Sequence, residues 1–146
     1  MKRSFLIFVL LILSVSAYSQ INFKGYVIGK EIPENKPSST NMSFAGHYGH
    51  FEAKTNQQGV ITSISFEPKK SGTPTLLTKG EVQKFITSLK HYFRVDMKRE
   101  SKGQSGVFNG KHNDCNFKVN YEHKQFSNGS YYHIDLLIHN PKYQSI

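Results

Sequence analysis

Residues 115–124, CNFKVNYEHK, alternate between side chains suited to a protein core and side chains suited to water. Such alternation is typical of a β-strand with one buried face. A second alternating stretch follows Asn128-Gly129, a dipeptide that favours a two-residue hairpin turn. With those two residues as the turn, Val119 lies opposite Ile138 and the apolar faces of both strands coincide. The pattern predicts an antiparallel hairpin over the last third of the chain.

Three more strands are expected upstream of this hairpin, over residues 23–28, 44–54 and 60–67. The segment 29–42 is polar and contains two prolines, so it is expected to be a loop. Residues 98–106 carry no apolar side chain and are also expected to form a loop.

One amphipathic helix is predicted between the two groups of strands. Thr78 and Glu81 have the spacing of a capping box, with Thr78 as the N-cap. Apolar residues at helical spacing follow, namely Val82, Phe85, Ile86, Leu89 and Phe93, and the helix is expected to end near Asp96 or Met97. We therefore expect an α+β fold, an antiparallel sheet of about five strands with one helix packed on one face, in the order β-β-β-α-β-β.

The first 19 residues have the features of a cleavable export signal. Lys2 and Arg3 precede an apolar run over residues 5–15, and Ala17-Tyr18-Ser19 forms a small-x-small cleavage site. The apolar run is too short to span a bilayer, so we expect no membrane-spanning segment after cleavage. The sequence thus predicts a signal peptide at 1–19, a single domain at 20–146, and a location in the periplasm or outside the cell.

The chain is basic, with 19 Lys and Arg against 10 Asp and Glu, and it remains basic when Lys2 and Arg3 are removed with the signal. Its single cysteine excludes an internal disulfide framework. An exported basic protein meets anionic lipids, acidic glycans and acidic proteins, so we expect an acidic protein or anionic envelope component as partner and no nucleic acid.

Two surfaces are candidates for binding such a partner. Lys90, Arg94 and Lys98 have the spacing i, i+4, i+8 and would form a basic helix face, or simply a solvated one. Phe126 and Tyr131 are paired by the predicted register at the hairpin tip, where exposed aromatic side chains can anchor a contact.

A metal site is a further candidate on the outer face of the hairpin. The predicted register places Glu122 opposite Asp135, a like-charge pair that destabilises a sheet unless it is neutralised. His133 lies on the same face, so the three side chains could bind a divalent cation such as Zn²⁺ or Mn²⁺. The alternative is that Lys118 and Lys124 neutralise the two carboxylates on an ordinary wet surface. No other cofactor is expected.

Three functions remain open on this basis. The first is a non-catalytic binding module, for instance an inhibitor or immunity-type protein that docks an acidic partner or polyanion. No catalytic residue is assigned, because the sequence contains no nucleophile elbow, phosphate loop or zinc-protease motif. The second is a small metal-dependent hydrolase that uses Glu122, His133 and Asp135. The third is a structural envelope component that pairs through an exposed strand edge. The sequence leaves the partner's identity and the oligomeric state open.

Overall fold

The structure, a computed structural model, describes residues 20–100 and 103–144, so the predicted signal peptide at 1–19 lies outside the described residues. The strands are β1 Asn22–Phe23, β2 Tyr26–Val27, β3 Ser39–Phe44, β4 His47–Thr55, β5 Ile61–Lys70, β6 Thr73–Pro74, β7 Lys98–Arg99, β8 Gly106–His112, β9 Cys115–Phe126 and β10 Gly129–His139. The helices are α1 Lys79–Phe93 and α2 Pro141–Gln144.

The predicted α+β fold with about five strands is wrong, because the described part of the chain is mostly β, with 54% of those residues in strands and 15% in helix. The predicted order β-β-β-α-β-β misses β3, which is polar, and β8, whose glycines weaken the strand pattern. It also merges the short hairpin β1–β2 into one strand. Residues 98–106 were expected to form a loop, but Lys98 and Arg99 form β7.

The main sheet has eight antiparallel strands built from two meanders. Its order is β3-β4-β5-β10-β9-β8-β7, and β6 pairs with β5 off this path. The first meander ends at β5 and the second ends at β10, and these two strands pair in the centre of the sheet. In the sequence, α1 and β7 therefore lie between β5 and β10, although these two strands are neighbours in the sheet.

The core lies on one face of this sheet. Phe23 of the β1–β2 hairpin packs against Phe51 and Phe66 of the sheet, with ring centroids 5.2 and 6.2 Å apart. Helix α1 covers the same face. There the ring of Phe85 stacks on that of Phe66, and the ring centroids of Phe93 and Phe117 are 5.6 Å apart. Burial of these aromatic side chains is the main source of stability for the fold.

The start of α1 agrees with the sequence prediction. Thr78 is the N-cap, and the capping box with Glu81 is complete in both directions. The predicted apolar stripe is buried, at Val82, Phe85, Ile86, Leu89 and Phe93. The helix ends at Phe93, because Arg94 adopts a left-handed conformation with a φ of 57° and caps it.

The β9–β10 hairpin forms, but its predicted register is wrong. The turn residues are Ser127 and Asn128, and Gly129 follows them with a φ of 140°, which glycine adopts readily. Val119 consequently pairs with Leu136 instead of Ile138. Because the shift is an even number of residues, each side chain keeps its predicted face.

Candidate binding groove

A groove lies between the first half of α1 and strands β7–β10, at the end of the core face that the helix does not cover. Its volume is about 260 Å³. It is lined by Lys79, Val82, Gln83, Arg99, Gln104, Phe108, Tyr121 and Tyr132. The apolar stripe of α1 closes over the central strands, and Phe108 on the outlying strand β8 remains only half-buried. The groove is therefore a consequence of a sheet that is wider than the helix packed on it.

Three aromatic rings form the floor of the groove. The ring centroids of Phe108 and Tyr121 are 5.2 Å apart, and those of Tyr121 and Tyr132 are 6.2 Å apart, in tilted arrangements. Backbone hydrogen bonds in both directions, each 2.8 Å long, join Tyr132 to Leu77. Leu77 is fully buried and immediately precedes the N-cap of α1, so the start of the helix is fixed beside the Tyr132 ring.

Arg99 places a guanidinium group against this floor. Its backbone pairs with Phe108 across β7 and β8, and its Nε donates a 2.5 Å hydrogen bond to the Tyr121 hydroxyl. Its Nη2 also donates to the carbonyl oxygen of Gly103. The guanidinium carbon lies 5.3 Å from the centroid of the Tyr121 ring. These contacts hold a planar, permanently charged group in one orientation.

The charged residues in the described lining of the groove are all cationic. Lys79 and Arg99 are its charged members, and no carboxylate is among the lining residues that the structure describes. Glu81, close by on α1, is engaged in the capping box, where its carboxylate accepts the Thr78 backbone N–H at 2.7 Å. That hydrogen bond holds the pKa of Glu81 below its ordinary value. An anionic group is thus favoured in the groove over a neutral or cationic one.

The predicted basic helix face is divided in the structure. Lys90 lies in the last turn of α1, Arg94 is the C-cap, and Lys98 belongs to β7. Lys90 makes a 2.8 Å ion pair with Asp96, and this hydrogen bond raises the pKa of Lys90 and lowers that of Asp96. Both side chains are largely exposed, so the pair contributes little stability, but it neutralises one of the three predicted cations.

The shift in register separates two of the three predicted metal ligands, Glu122 and Asp135. Glu122 pairs with His133 instead of Asp135, whose Oδ1 accepts a 3.0 Å hydrogen bond from Asn120. The carboxylate nearest to His133 is that of Glu67 on β5, 3.2 Å from Nε2, while Glu122 lies 3.9 Å from Nδ1. Within residues 20–100 and 103–144, no three His, Cys, Asp or Glu side chains converge as a metal site.

Glu122 is neutralised mainly by a neighbour on its own strand. Lys124 donates a 2.7 Å hydrogen bond to Glu122 Oε1, and this bond lowers the pKa of Glu122. The predicted repulsion between Glu122 and Asp135 does not arise, because the two residues are not paired.

The predicted aromatic pair at the hairpin tip remains in contact despite the change of register. Phe126 pairs with Gly129 and Tyr131 with Lys124, yet the two rings meet edge to face with centroids 5.8 Å apart. Phe126 is 48% exposed. The two rings border a shallow depression together with Leu76 and Asn128, and no charged residue is among its described lining.

A larger cavity of about 520 Å³ lies at the opposite end of the core, beside the β8–β9 turn. Its polar lining includes Lys30, Lys142 and Asp114, so cations and a carboxylate offset one another there. Cys115 also borders this cavity but is only 2% exposed, and burial raises the pKa of its thiol to about 11. The thiolate needed for nucleophilic chemistry is therefore disfavoured.

The sequence prediction missed Arg99, Phe108, Tyr121 and Tyr132 as members of one site. The alternation in β9 correctly indicates that Tyr121 faces inward, but the sequence predicts a loop over residues 98–106 and so gives Arg99 no place in the sheet. The sequence does contain one signal for this site. Residues 98 and 99 are both cationic, and the aromatic Phe108 follows them after a short connection.

Comparisons of the chain with protein-family models, with curated proteins and with solved structures found no match. In residues 20–100 and 103–144, neither helix combines the length and apolar character that crossing a bilayer requires.

Proposed function

We propose that this chain is an exported binding protein and that the groove between α1 and β7–β10 receives an acidic polypeptide partner. One observation carries the proposal. The groove combines an aromatic floor with two cations, Lys79 and Arg99, and no carboxylate lies among its described lining residues. Tyrosine and arginine, together with tryptophan, are enriched among the residues that dominate the binding energy of protein interfaces.

The size of the groove defines its part in the interface. A volume of about 260 Å³ accommodates one anchoring side chain and its neighbour, not an extended segment. A stable protein interface buries about 800 Å² on each partner, so the partner must also cover the surroundings of the groove. The exposed cation Lys84, next to Gln83 on α1, extends the positive charge beyond the groove, and an acidic protein complements that charge.

Site-specific photocrosslinking in the envelope of the host cell tests this proposal. A benzophenone amino acid replaces Gln83, which lines the groove, or Tyr92, an exposed α1 residue that packs against Phe44 on the other flank of the helix. We expect a defined adduct with an acidic polypeptide from position 83, weakened when Arg99→Glu is added, and no such adduct from position 92. Adducts of equal yield at both positions, no adduct at position 83, or a partner without acidic character would contradict the proposal.

A further inference from the structure

We infer that the partner anchors itself with an aromatic residue adjacent in its sequence to Asp or Glu, with the ring on the aromatic floor and the carboxylate on Arg99. This inference rests on the proposed function and specifies the chemistry that the groove selects.

The floor favours a ring over an aliphatic side chain. Phe108 and Tyr132 are only half-buried, and the rings of both contact Tyr121 in tilted geometry. A fourth ring can add to this cluster edge to face, which aromatic pairs prefer and which stabilises them beyond the area that they bury. Val82, 6% exposed, closes the helix side of the groove with an apolar wall.

The guanidinium favours a carboxylate at one end of that floor. The hydrogen bonds to Tyr121 and Gly103 occupy Nε and one N–H of Nη2, two of the five N–H donors of Arg99. A guanidinium so held is pre-organised for the paired hydrogen bonds that it makes with a carboxylate. Lys79, which also lines the groove, adds a second positive charge to it.

The spacing between the two features matches neighbouring residues of one chain. The guanidinium carbon of Arg99 and the ring centroid of Phe108 both lie close to the Tyr121 ring, 5.3 and 5.2 Å from its centroid. Successive Cα atoms in a peptide are about 3.8 Å apart, and both side chains extend beyond them. A carboxylate and a ring on adjacent residues can therefore reach both features at once.

Isothermal titration calorimetry with short synthetic probes tests the inference. The probes are N-acetyl-Asp-Phe-amide, N-acetyl-Asn-Phe-amide, which lacks the carboxylate, and N-acetyl-Asp-Ala-amide, which lacks the ring. A fourth probe, 3-phenylpropionate, carries both groups without a peptide backbone. The protein variants are wild type, Arg99→Gln, and the control Lys111→Gln, which removes a cation from an exposed position of β8 outside the groove lining.

We expect N-acetyl-Asp-Phe-amide to bind most tightly. The affinity should fall by about tenfold or more when the carboxylate is lost, when the ring is lost, or when Arg99→Gln is introduced. This is the effect of one charge-assisted hydrogen bond or one buried ring. Lys111→Gln should bind as the wild type does.

If N-acetyl-Asp-Ala-amide binds as tightly as N-acetyl-Asp-Phe-amide, and both require Arg99, the proposed acidic partner stands and the aromatic anchor is refuted. If 3-phenylpropionate binds more tightly than every peptide, the ligand is a small aryl acid and the polypeptide anchor is refuted. If no probe binds, or if all probes bind equally to Arg99→Gln, the groove is not the binding site and both proposals fail.

Discussion

Gly49 in β4 is the position where the addition of one methyl group should disturb the sheet most. Its backbone has an ordinary φ, so the need for glycine comes from space. A Cβ built on Gly49 would lie 2.3 Å from the carbonyl oxygen of Glu67 and 2.7 Å from Cζ of Phe66. Gly49→Ala therefore requires β4 and β5 to move apart, and the fully buried Phe66 ring must also shift.

The magnitude follows from what must move. An extra methyl group in a well-packed core destabilises a protein by roughly 1–3 kcal/mol when side chains can adjust. Here the closest atom belongs to the backbone of β5, which also pairs with the central strand β10. We therefore expect a loss at the upper end of this range, about 3 kcal/mol, in the free energy of unfolding.

Urea unfolding of the purified protein, followed by circular dichroism, measures this loss. Gly80→Ala is the matched control, because Gly80 lies in the first turn of α1 and a Cβ there would meet no atom within 4 Å. That substitution should stabilise the protein by up to about 1 kcal/mol, since alanine favours a helix more than glycine does. Equal effects of the two substitutions, or an unchanged stability of Gly49→Ala, would refute the close approach of β4 and β5 at this point.

Three further predictions concern individual groups. Thr78→Ala removes the N-cap of α1 and should lower the free energy of unfolding by about 1 kcal/mol in the same urea assay, whereas an unchanged value would contradict the capping box. Glu81 has a lowered pKa in the folded protein, so its stabilisation is complete above the unfolded pKa of about 4.3 and is lost as pH falls through the lower folded value. The stability difference between wild type and Glu81→Gln should therefore shrink between about pH 7 and pH 3, and a constant difference would argue against the bond to Thr78. Cys115, with a pKa raised to about 11, should react with iodoacetamide far more slowly in the folded protein than in urea at about pH 8, and equal rates would contradict its burial.

The features that the sequence predicted correctly depend on neighbours along the chain. The capping box at Thr78 and the apolar stripe of α1 are local patterns, and both are present in the structure. The face of each residue in β9 and β10 also follows from local alternation. The predicted faces are correct despite the error in register, because a shift of two residues returns each side chain to the same side of the sheet.

The features that the sequence did not predict depend on pairing between distant segments. Polar β3 forms a strand because β4 offers it a partner, and β8 forms beside β9 although two glycines weaken its own preference. The metal hypothesis failed to find Glu67 beside His133 because β5 and β10 are far apart in sequence. The groove has the same origin, since Arg99, Phe108 and Tyr132 meet only after β7–β10 assemble next to α1.

The most direct test of the account is the location of the bound acidic probe on the protein. In a ¹⁵N-labelled sample titrated with N-acetyl-Asp-Phe-amide, we predict that the largest amide shift changes map to Arg99, Phe108, Tyr121 and Tyr132. They should disappear in Arg99→Gln and persist in Lys111→Gln. Changes centred instead on Lys90 and Arg94, or on Phe126 and Tyr131, would place recognition on one of the other surfaces and contradict the groove as the binding site.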